Sequence, residues 1–472
     1  MTTPARPSQE IVSGTVMVAG AGVSGVGVAR LLVDLGVDVV IVDANATALD
    51  RAVEATGAAA MDPATAEARL QEFSCVVTSP GWRPDSPLLI AAHDAGLEVY
   101  GDVELFYRLD AAGTFGKPRT WLVVTGTNGK TTTTGMLAAM MTKAGRSTQA
   151  VGNIGVSIAE ALVNPQRIDV LVVEASSFQL HWSSKLAPNV GVLLNLADDH
   201  IDWHGSFAHY AADKAKVFGG AIAIAGIDDE HVREQVARLG ITPIGFTLAP
   251  PEPRQVGVHD GMIVDYTGDE PVVIAPVEGI EPAGEAGIYD ALAAAAAARA
   301  AGAAPEAIAQ ALKEFKVAGH RGQVVARWFD NHGVEIIAID NSKATNPHAA
   351  DSALSGHDSV VWVAGGQLKD ADVVPLVKKH AHRLKAVALL GVDREIIAAA
   401  VREYAPEAVI MATENTDPVQ AMDEVVAWAV AQATGGDAVI LAPAAASLDM
   451  YSGMGQRGTL FAEAVASRVD NT

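Results

Sequence analysis

Short uninterrupted apolar runs recur along the chain and alternate with stretches of helical period. Thr15–Gly20, Val39–Asp43, Cys75–Thr78, Trp121–Val124, Asp169–Glu174 and Val190–Asn195 read as strands, as do Glu335–Asp340, Val360–Ala364, Ala386–Leu390 and Ala438–Leu441. Runs of this kind suit strands covered on both faces, as in parallel sheets. Helices are predicted over Val26–Leu35, Met136–Met141, Tyr210–Phe218, the neighbourhood of 229–239, Glu285–Ala303 and Pro305–Phe315. The run from Glu285 is so rich in Ala that propensity alone favours helix. Strands alternating with helices predict an α/β protein with mainly parallel sheets. A length of 472 residues suggests three domains of roughly 150 residues each. The Gly- and Pro-bearing stretch Asp110–Pro118 reads as a linker. With a second boundary near Ala318, the expected divisions are 1–116, 117–317 and 318–472.

Composition narrows the function. The formal net charge is −23, which disfavours nucleic acid and anionic membranes as partners. No apolar run is long enough to span a bilayer, and Met1–Glu10 lacks the basic-then-apolar order of a secretory signal. Cys75 is the single cysteine, so no intrachain disulfide forms, which fits a reducing cytoplasm. It sits within an apolar run and reads as a small buried residue rather than a nucleophile.

The chemistry centres on Gly126-Thr127-Asn128-Gly129-Lys130-Thr131-Thr132, between a strand and a helix. Glycines there let backbone N–H groups close around an anion. Lys130 supplies charge for β- and γ-phosphates, and the Thr131 hydroxyl is placed to ligate Mg²⁺. Val124 stands where the longer phosphate-loop pattern has its first Gly, so this is a shorter variant. Glu174, ending a strand, is the expected second support for the metal. Asp198-Asp199-His200 and Asp202 form an acid-rich loop in which His200 is a metal or substrate contact, while His204 reads as structural. Lys214 shares a helix face with Tyr210, and a solvated lysine is the ordinary expectation there. Gly20-Ala-Gly22-Val-Ser-Gly25 matches G-x-G-x-x-G, with Asp43 ending the next strand, so a pyrophosphate and a ribose are expected there. The turn at Ser79 and the Gly-flanked Asn153 also lie at strand ends, where open α/β sheets bind ligands. Late in the chain, Lys343, Thr345, Lys369 and Ser447 follow strands and describe a site for a small carboxylate-bearing molecule.

Taken together, Gly126–Thr132, Gly152–Gly155, Glu174–Gln179, Asp199-His200 with Tyr210 and Lys214, His320-Arg321 and the late loops resemble the Mur ligases of peptidoglycan synthesis along essentially the whole chain. Within that family, Ser342–Asn346 and Ser447–Asp449 look like the branch that adds D-glutamate. The resemblance implies a three-domain fold: a Rossmann-like N-terminal domain, a central parallel sheet of the P-loop ATPase kind and a Rossmann-like C-terminal domain. It implies ATP and two Mg²⁺ ions, with UDP-N-acetylmuramoyl-L-alanine and D-glutamate as substrates, in a cytoplasmic monomer. Gly22, Val23, Ser24, Asp43, Ser79, Asn153, Ser176, Gln179 and His200 would then face the UDP-substrate. ATP would be held by residues 126–132 with Asp290, Arg321, Asp340 and Asn341. Metal would be held by Thr131, Glu174, His200 and a carbamylated Lys214; Lys130, Glu174, His200 and Lys214 would form the catalytic set. D-Glutamate would meet Lys343, Thr345, Lys369, Ser447, Leu448 and Met454. Three departures stand out, one being Met454 where the family has an aromatic near the D-glutamate site. The family's His-Asn-x-x-Asn appears as Ala286-Gly287-Ile288-Tyr289-Asp290, and its Asn-Asp-Ser-Lys as Asp340-Asn341-Ser342-Lys343, leaving open which of Asp340 and Asn341 faces nucleotide. The implied reaction is phosphorylation of a carboxylate, then attack of an amine on the acyl phosphate. Rival readings are a nicotinamide-linked oxidoreductase resting on Gly20–Gly25, a nucleotide switch resting on 126–132, and a sister ligase or folylpolyglutamate synthase using another amino acid.

Overall fold

The structure, a computed structural model, describes residues 12, 14–154, 156–316, 319–320, 322–368 and 371–469. Arg321 and Lys369, two of the expected site residues, lie outside the described residues, as do Gly155 and the boundary at Val317-Ala318.

Three sheets follow one another along the chain. The first has the order β3-β2-β1-β4-β5, from Ala59–Met61, Val39–Val42, Thr15–Ala19, Phe73–Thr78 and Glu98–Gly101, all parallel. Helix Val23–Asp34 starts three residues before the apolar period begins, because Gly22 already serves as its N-cap. Gly25 packs that helix onto β1: a Cβ there would strike the carbonyl of Gly20.

The second sheet contains β6 (Thr120–Thr125), β7 (Thr148–Gly152), β8 (Val170–Glu174), β9 (Val190–Leu193), β10 (Ile222–Gly226), β11 (Ile244–Phe246), β12 (Gln255–His259), β13 (Met262–Tyr266) and β14 (Val272–Pro276). Its order is β14-β13-β12-β11-β10-β9-β6-β8-β7, parallel from β7 to β12, with β13 and β14 antiparallel. This order puts the C-terminal ends of β9, β6, β8 and β7 side by side. Helix Lys130–Lys143 begins directly after Gly129, six residues ahead of the apolar stretch at Met136, since its first turn is polar.

Of the expected linker Asp110–Pro118, Asp110 and Ala111 close a helix, and the loop that follows is pinned. Asp110 and Arg119, buried at its two ends, form an ion pair; Asp110 Oδ2 also accepts from Arg119 N and Trp121 Nε1, each at 2.9 Å. Helix Asp102–Ala111 buries Val103, Leu105, Phe106 and Leu109 in one apolar cluster shared by the first two sheets. Both sheets, with Tyr289–Glu314, accordingly form one compact unit.

The other unit comprises Gly279–Ile288 and the third sheet, and the division falls within helix Glu285–Ala300. The order is β15-β16-β20-β17-β18-β19, from Gln323–Phe329, Glu335–Asp340, Ala438–Leu441, Val360–Gly365, Leu384–Leu390 and Val409–Ala412. Only β15 pairs antiparallel among these described strands. Apolar clusters cover both faces, one around Trp362 and Leu354, the other around Phe461 and Val426. Among the described residues, no helix is long and apolar enough to cross a membrane.

Candidate active site

The strand order brings together residues far apart in sequence. Val124 of β6 pairs with Glu174 of β8, and Gly152 of β7 pairs with Glu174 on the other side. Thr131, on the helix after β6, donates from Oγ1 to Glu174 Oε2 at 2.6 Å. Asn153, just past β7, donates from Nδ2 to Glu174 Oε1 at 3.0 Å. Glu174 itself is buried. A hydroxyl and a carboxylate at the helix N-terminus form a set of hard oxygen donors, and these residues fit Mg²⁺.

The phosphate loop is held from several sides. Gly129 adopts φ +80°, which favours glycine, and a Cβ there would land on the Asp290 carboxylate. Asp290, on helix Glu285–Ala300, is buried and accepts from Thr133 Oγ1 at 3.1 Å, so it abuts the loop. Asn128 N donates to Asn195 Oδ1 at 2.9 Å, and Thr127 Oγ1 meets the Tyr210 hydroxyl at 2.8 Å. Lys130 Nζ donates to the carbonyls of Gly126 and Thr127 at 3.0 and 2.7 Å. Thr132 is buried.

Lys214 departs from the expectation of a solvated lysine. It is 2% exposed, and its Nζ donates to Gly126 O at 2.7 Å. Burial holds its pKa well below the ordinary lysine value; the charge of Lys130 adds to this, while Asp199 and Glu174 oppose it. A lysine driven toward its neutral amine is a nucleophile. His200 stays exposed, in the left-handed region at φ 53°, with Nε2 3.5 Å from Asp199 and its ring 4.7 Å from Phe178.

At the C-terminal edge of the first sheet, Asp43 Oδ2 accepts from Ala21 N at 2.8 Å and so clamps the glycine turn. Gly22 and Val23 are exposed. Ser24 is turned inward: its hydroxyl donates to Asp102 Oδ2 at 2.5 Å. Burial raises the Asp102 carboxyl above its usual range, against hydrogen bonds from Ser24, Val103 N and Gln179. The Ser79 hydroxyl lies beneath Gly20, buried, with no hydrogen-bond partner among the described residues. Ser176 and Gln179 engage each other in a capping box at the start of helix Ser177–His181. Ser176 Oγ and Gln179 Oε1 therefore serve the helix start, while the Gln179 side chain also hydrogen-bonds Asp102.

In the other unit, β16, β20 and β17 are neighbours, so their C-terminal loops share one edge. Lys343 and Thr345 are half-buried on the first loop, Ser447 is buried on the second, and Leu448 is 69% exposed. Met454, 39% exposed, begins helix Met454–Ala466. Asp340 is buried and accepts from His320 Nδ1 at 2.6 Å and Ser342 N at 2.9 Å, whereas Asn341 is half-buried.

Two family models match the sequence: "Mur ligase MurD-like, N-terminal domain" over residues 14–101 and "Mur ligase middle domain" over residues 124–298. A curated relative from Corynebacterium diphtheriae, named UDP-N-acetylmuramoylalanine--D-glutamate ligase, is 59% identical over 463 residues, covering 97% of this chain and 96% of its own length. The chain belongs to the Mur ligase family. Another relative of the same name, from Corynebacterium efficiens, is 56% identical over 97% of this Mur ligase and 95% of its own length. Among solved structures, a pseudomurein peptide ligase type C from Methanothermus fervidus shares the fold, with a TM-score of 0.55 at 16% identity over 96% of this chain and 100% of that one.

Sequence reasoning missed three buried polar residues of this Mur ligase. Asp102 opens a helix and reads as a routine acidic residue of a first turn. Asp213 reads as a solvated neighbour of Lys214, yet it is buried and bonded to two imidazoles. Arg457 is fully buried. Its guanidinium donates to Ser342 Oγ at 3.0 Å and to the carbonyls of Ser342, Ala445 and Gly365 at 2.9, 3.1 and 3.3 Å. It thereby ties together the three loops of the shared edge. A lone Arg amid Gly and Gln carries no such signal in sequence.

Proposed function

We propose that this Mur ligase is an ATP-dependent acid–amino-acid ligase that joins D-glutamate to UDP-N-acetylmuramoyl-L-alanine in the synthesis of peptidoglycan precursors. The observation that carries this reading is the Thr131–Glu174–Asn153 constellation beside the phosphate loop, in a chain 59% identical to a relative bearing that activity in its name. Residues 1–116 would take the UDP portion, 117–317 the ATP and 318–472 the amino acid. The protein would act as a cytoplasmic monomer, with small molecules as its partners and neither nucleic acid nor membrane.

The obstacle is electrostatic: a carboxylate must approach a polyanion. Lys130 and the loop N–H groups offset that charge where water is scarce. Mg²⁺, read as two ions held by Thr131, Glu174, His200 and Lys214, would supply further neutralisation of the phosphates. Lys214 as an ammonium would repel those ions. As a neutral amine it adds to CO₂ and loses one proton, becoming an anionic carbamate that offers oxygen donors. The substrate carboxylate then attacks the γ-phosphate and ADP leaves. The D-glutamate amine attacks the acyl carbon and phosphate leaves. Lys343, Thr345, Ser447, Leu448 and Met454, with Lys369, would receive the amino acid. Arg457, bonded to Ser342, Gly365 and Ala445, would hold the loops of that edge in place.

The test is ATP-dependent phosphate release with D-Glu, L-Glu, L-Ala and diaminopimelate. Release that needs both the UDP-substrate and D-Glu supports the proposal. Release with another amino acid makes the protein a sister ligase, and release without any acceptor makes it a nucleotide switch.

A further inference from the structure

We propose that Asp213 is a positioning residue, one carboxylate that sets the mutual placement of the three segments carrying Glu174, His200 and Lys214. The inference rests on the metal-site reading given above.

Asp213 Oδ2 accepts from His181 Nδ1 at 2.8 Å and from His204 Nδ1 at 3.0 Å. Its other oxygen pairs with Lys216 Nζ at 2.9 Å, and Lys216 Nζ also donates to His181 O at 2.6 Å. Each partner belongs to a different part of the site. His181 ends the helix Ser177–His181, which begins three residues after Glu174. His204 ends the short helix Ile201–His204, for which His200 is the N-cap. Asp213 precedes Lys214 on helix Phe207–Ala215. One carboxylate thus ties three segments that are separate in sequence.

The linkage reaches His200 through Phe178. The Phe178 ring stacks on His204, with centroids 5.7 Å apart and planes 7° from parallel, and it packs on His200 at 4.7 Å. Any shift of His204 is therefore passed to His200 through a packed aromatic ring. A carboxylate only accepts, so both Nδ1 atoms carry hydrogen. His204 Nε2 is buried and without a hydrogen-bond partner among the described residues.

Two imidazoles and a carboxylate with ligand atoms within 4.8 Å of one another are also the makings of a transition-metal site. Two observations favour the positioning role. The Lys216 ammonium on the same carboxylate would repel a divalent ion, and His204 Nε2 lacks the acceptor that a ligating imidazole normally has.

The experiment compares Asp213→Asn, His204→Ala and His204→Asn in the full chain. It measures kcat, the KM for each substrate, the Mg²⁺ concentration for half activity, and the ¹³C carbamate signal of Lys214 in labelled bicarbonate. Asp213→Asn keeps the volume but replaces one acceptor oxygen with a donor. We expect kcat to fall about 10–100-fold and the Mg²⁺ requirement to rise several-fold, as for losses of groups that orient metal ligands, with the D-Glu KM within about twofold of wild type. The carbamate signal should weaken in parallel. His204→Ala should behave like Asp213→Asn. His204→Asn, whose amide N–H stands near the lost Nδ1–H but which lacks the ring stacked on Phe178, should recover activity above His204→Ala without reaching wild type. If Asp213→Asn does not fold, the two His204 variants decide the question. Wild-type kcat and Mg²⁺ dependence in folded Asp213→Asn, or in His204→Ala, would overturn the proposal. So would stoichiometric Zn²⁺ binding to wild type that Asp213→Asn abolishes. If wild type shows no carbamate and Lys214→Met is fully active, the metal-site reading fails instead.

Discussion

Thr131 Oγ1 and Glu174 Oε2 stand 2.6 Å apart across two neighbouring parallel strands, although 43 residues separate them in the chain. This pair couples the phosphate loop to the next strand's terminal carboxylate. With Asn153 on the other carboxylate oxygen, Glu174 is held in orientation from both sides. Preorganisation of that kind is what an electrostatically limited phosphoryl transfer requires.

Lys130→Ala should abolish ADP release while leaving affinity for the UDP-substrate nearly unchanged. Lys130 opens the helix that follows β6, whereas the glycine turn and Asp43 lie on the first sheet. Calorimetric titration of the UDP-substrate beside a coupled ADP assay checks this. Equal loss of both would refute the division of labour.

Lys214→Arg should lower activity by at least about 100-fold, because a guanidinium stays charged and cannot form a carbamate. For wild type, carbamate formation consumes the neutral amine and releases a proton. Since burial depresses the Lys214 pKa, that amine is available nearer neutrality than in an exposed lysine. Activity in CO₂-depleted buffer should therefore drop, and more at pH 6.5 than at about pH 8.5. A bicarbonate-independent rate at both pH values would exclude the carbamate.

Lys343→Ala and Ser447→Ala should chiefly raise the KM for D-glutamate, with the KM for ATP little changed. Both residues follow adjacent strands at one sheet edge. An unchanged D-Glu KM would remove them from the amino-acid site.

Arg457→Met should destabilise the protein, by about 1–3 kcal/mol for each buried acceptor left without its donor. Three carbonyls and one hydroxyl lose a donor together. Chemical denaturation of wild type and variant measures the loss, and a D-Glu KM rising in step would trace it to the three loops. Wild-type stability would mean that water replaces the guanidinium.

Asp102 gives a pH signature. Burial raises its folded pKa above the ordinary carboxylate value of 3.8, so the folded state holds a proton that the unfolded chain has already released. Its contribution is full below that ordinary value and is lost as pH rises through the folded one. Asp102→Asn should flatten the decline of Tm above pH 4, without a loss at pH 8. A steeper decline in the variant would contradict the assignment.

The Gly126–Thr132 loop, the glycine turn, the strand-ending acids Asp43 and Glu174 and most elements were legible in the residues themselves. Local chemistry dictates them: glycine conformations, apolar period and turn residues act over a few positions. Even there the period under-read helices whose first turn is polar, as at Lys130. Tertiary structure alone decided which of these polar residues lie in the interior and what they bond. Lys214 reads as solvated and is buried; Ser24 points to Asp102; Asp213 gathers His181 and His204; Arg457 spans Ser342, Gly365 and Ala445. The reason is physical. Burial and long-range hydrogen bonding depend on strand order, which places residues dozens of positions apart at one sheet edge, and no local pattern in the chain encodes that neighbourhood.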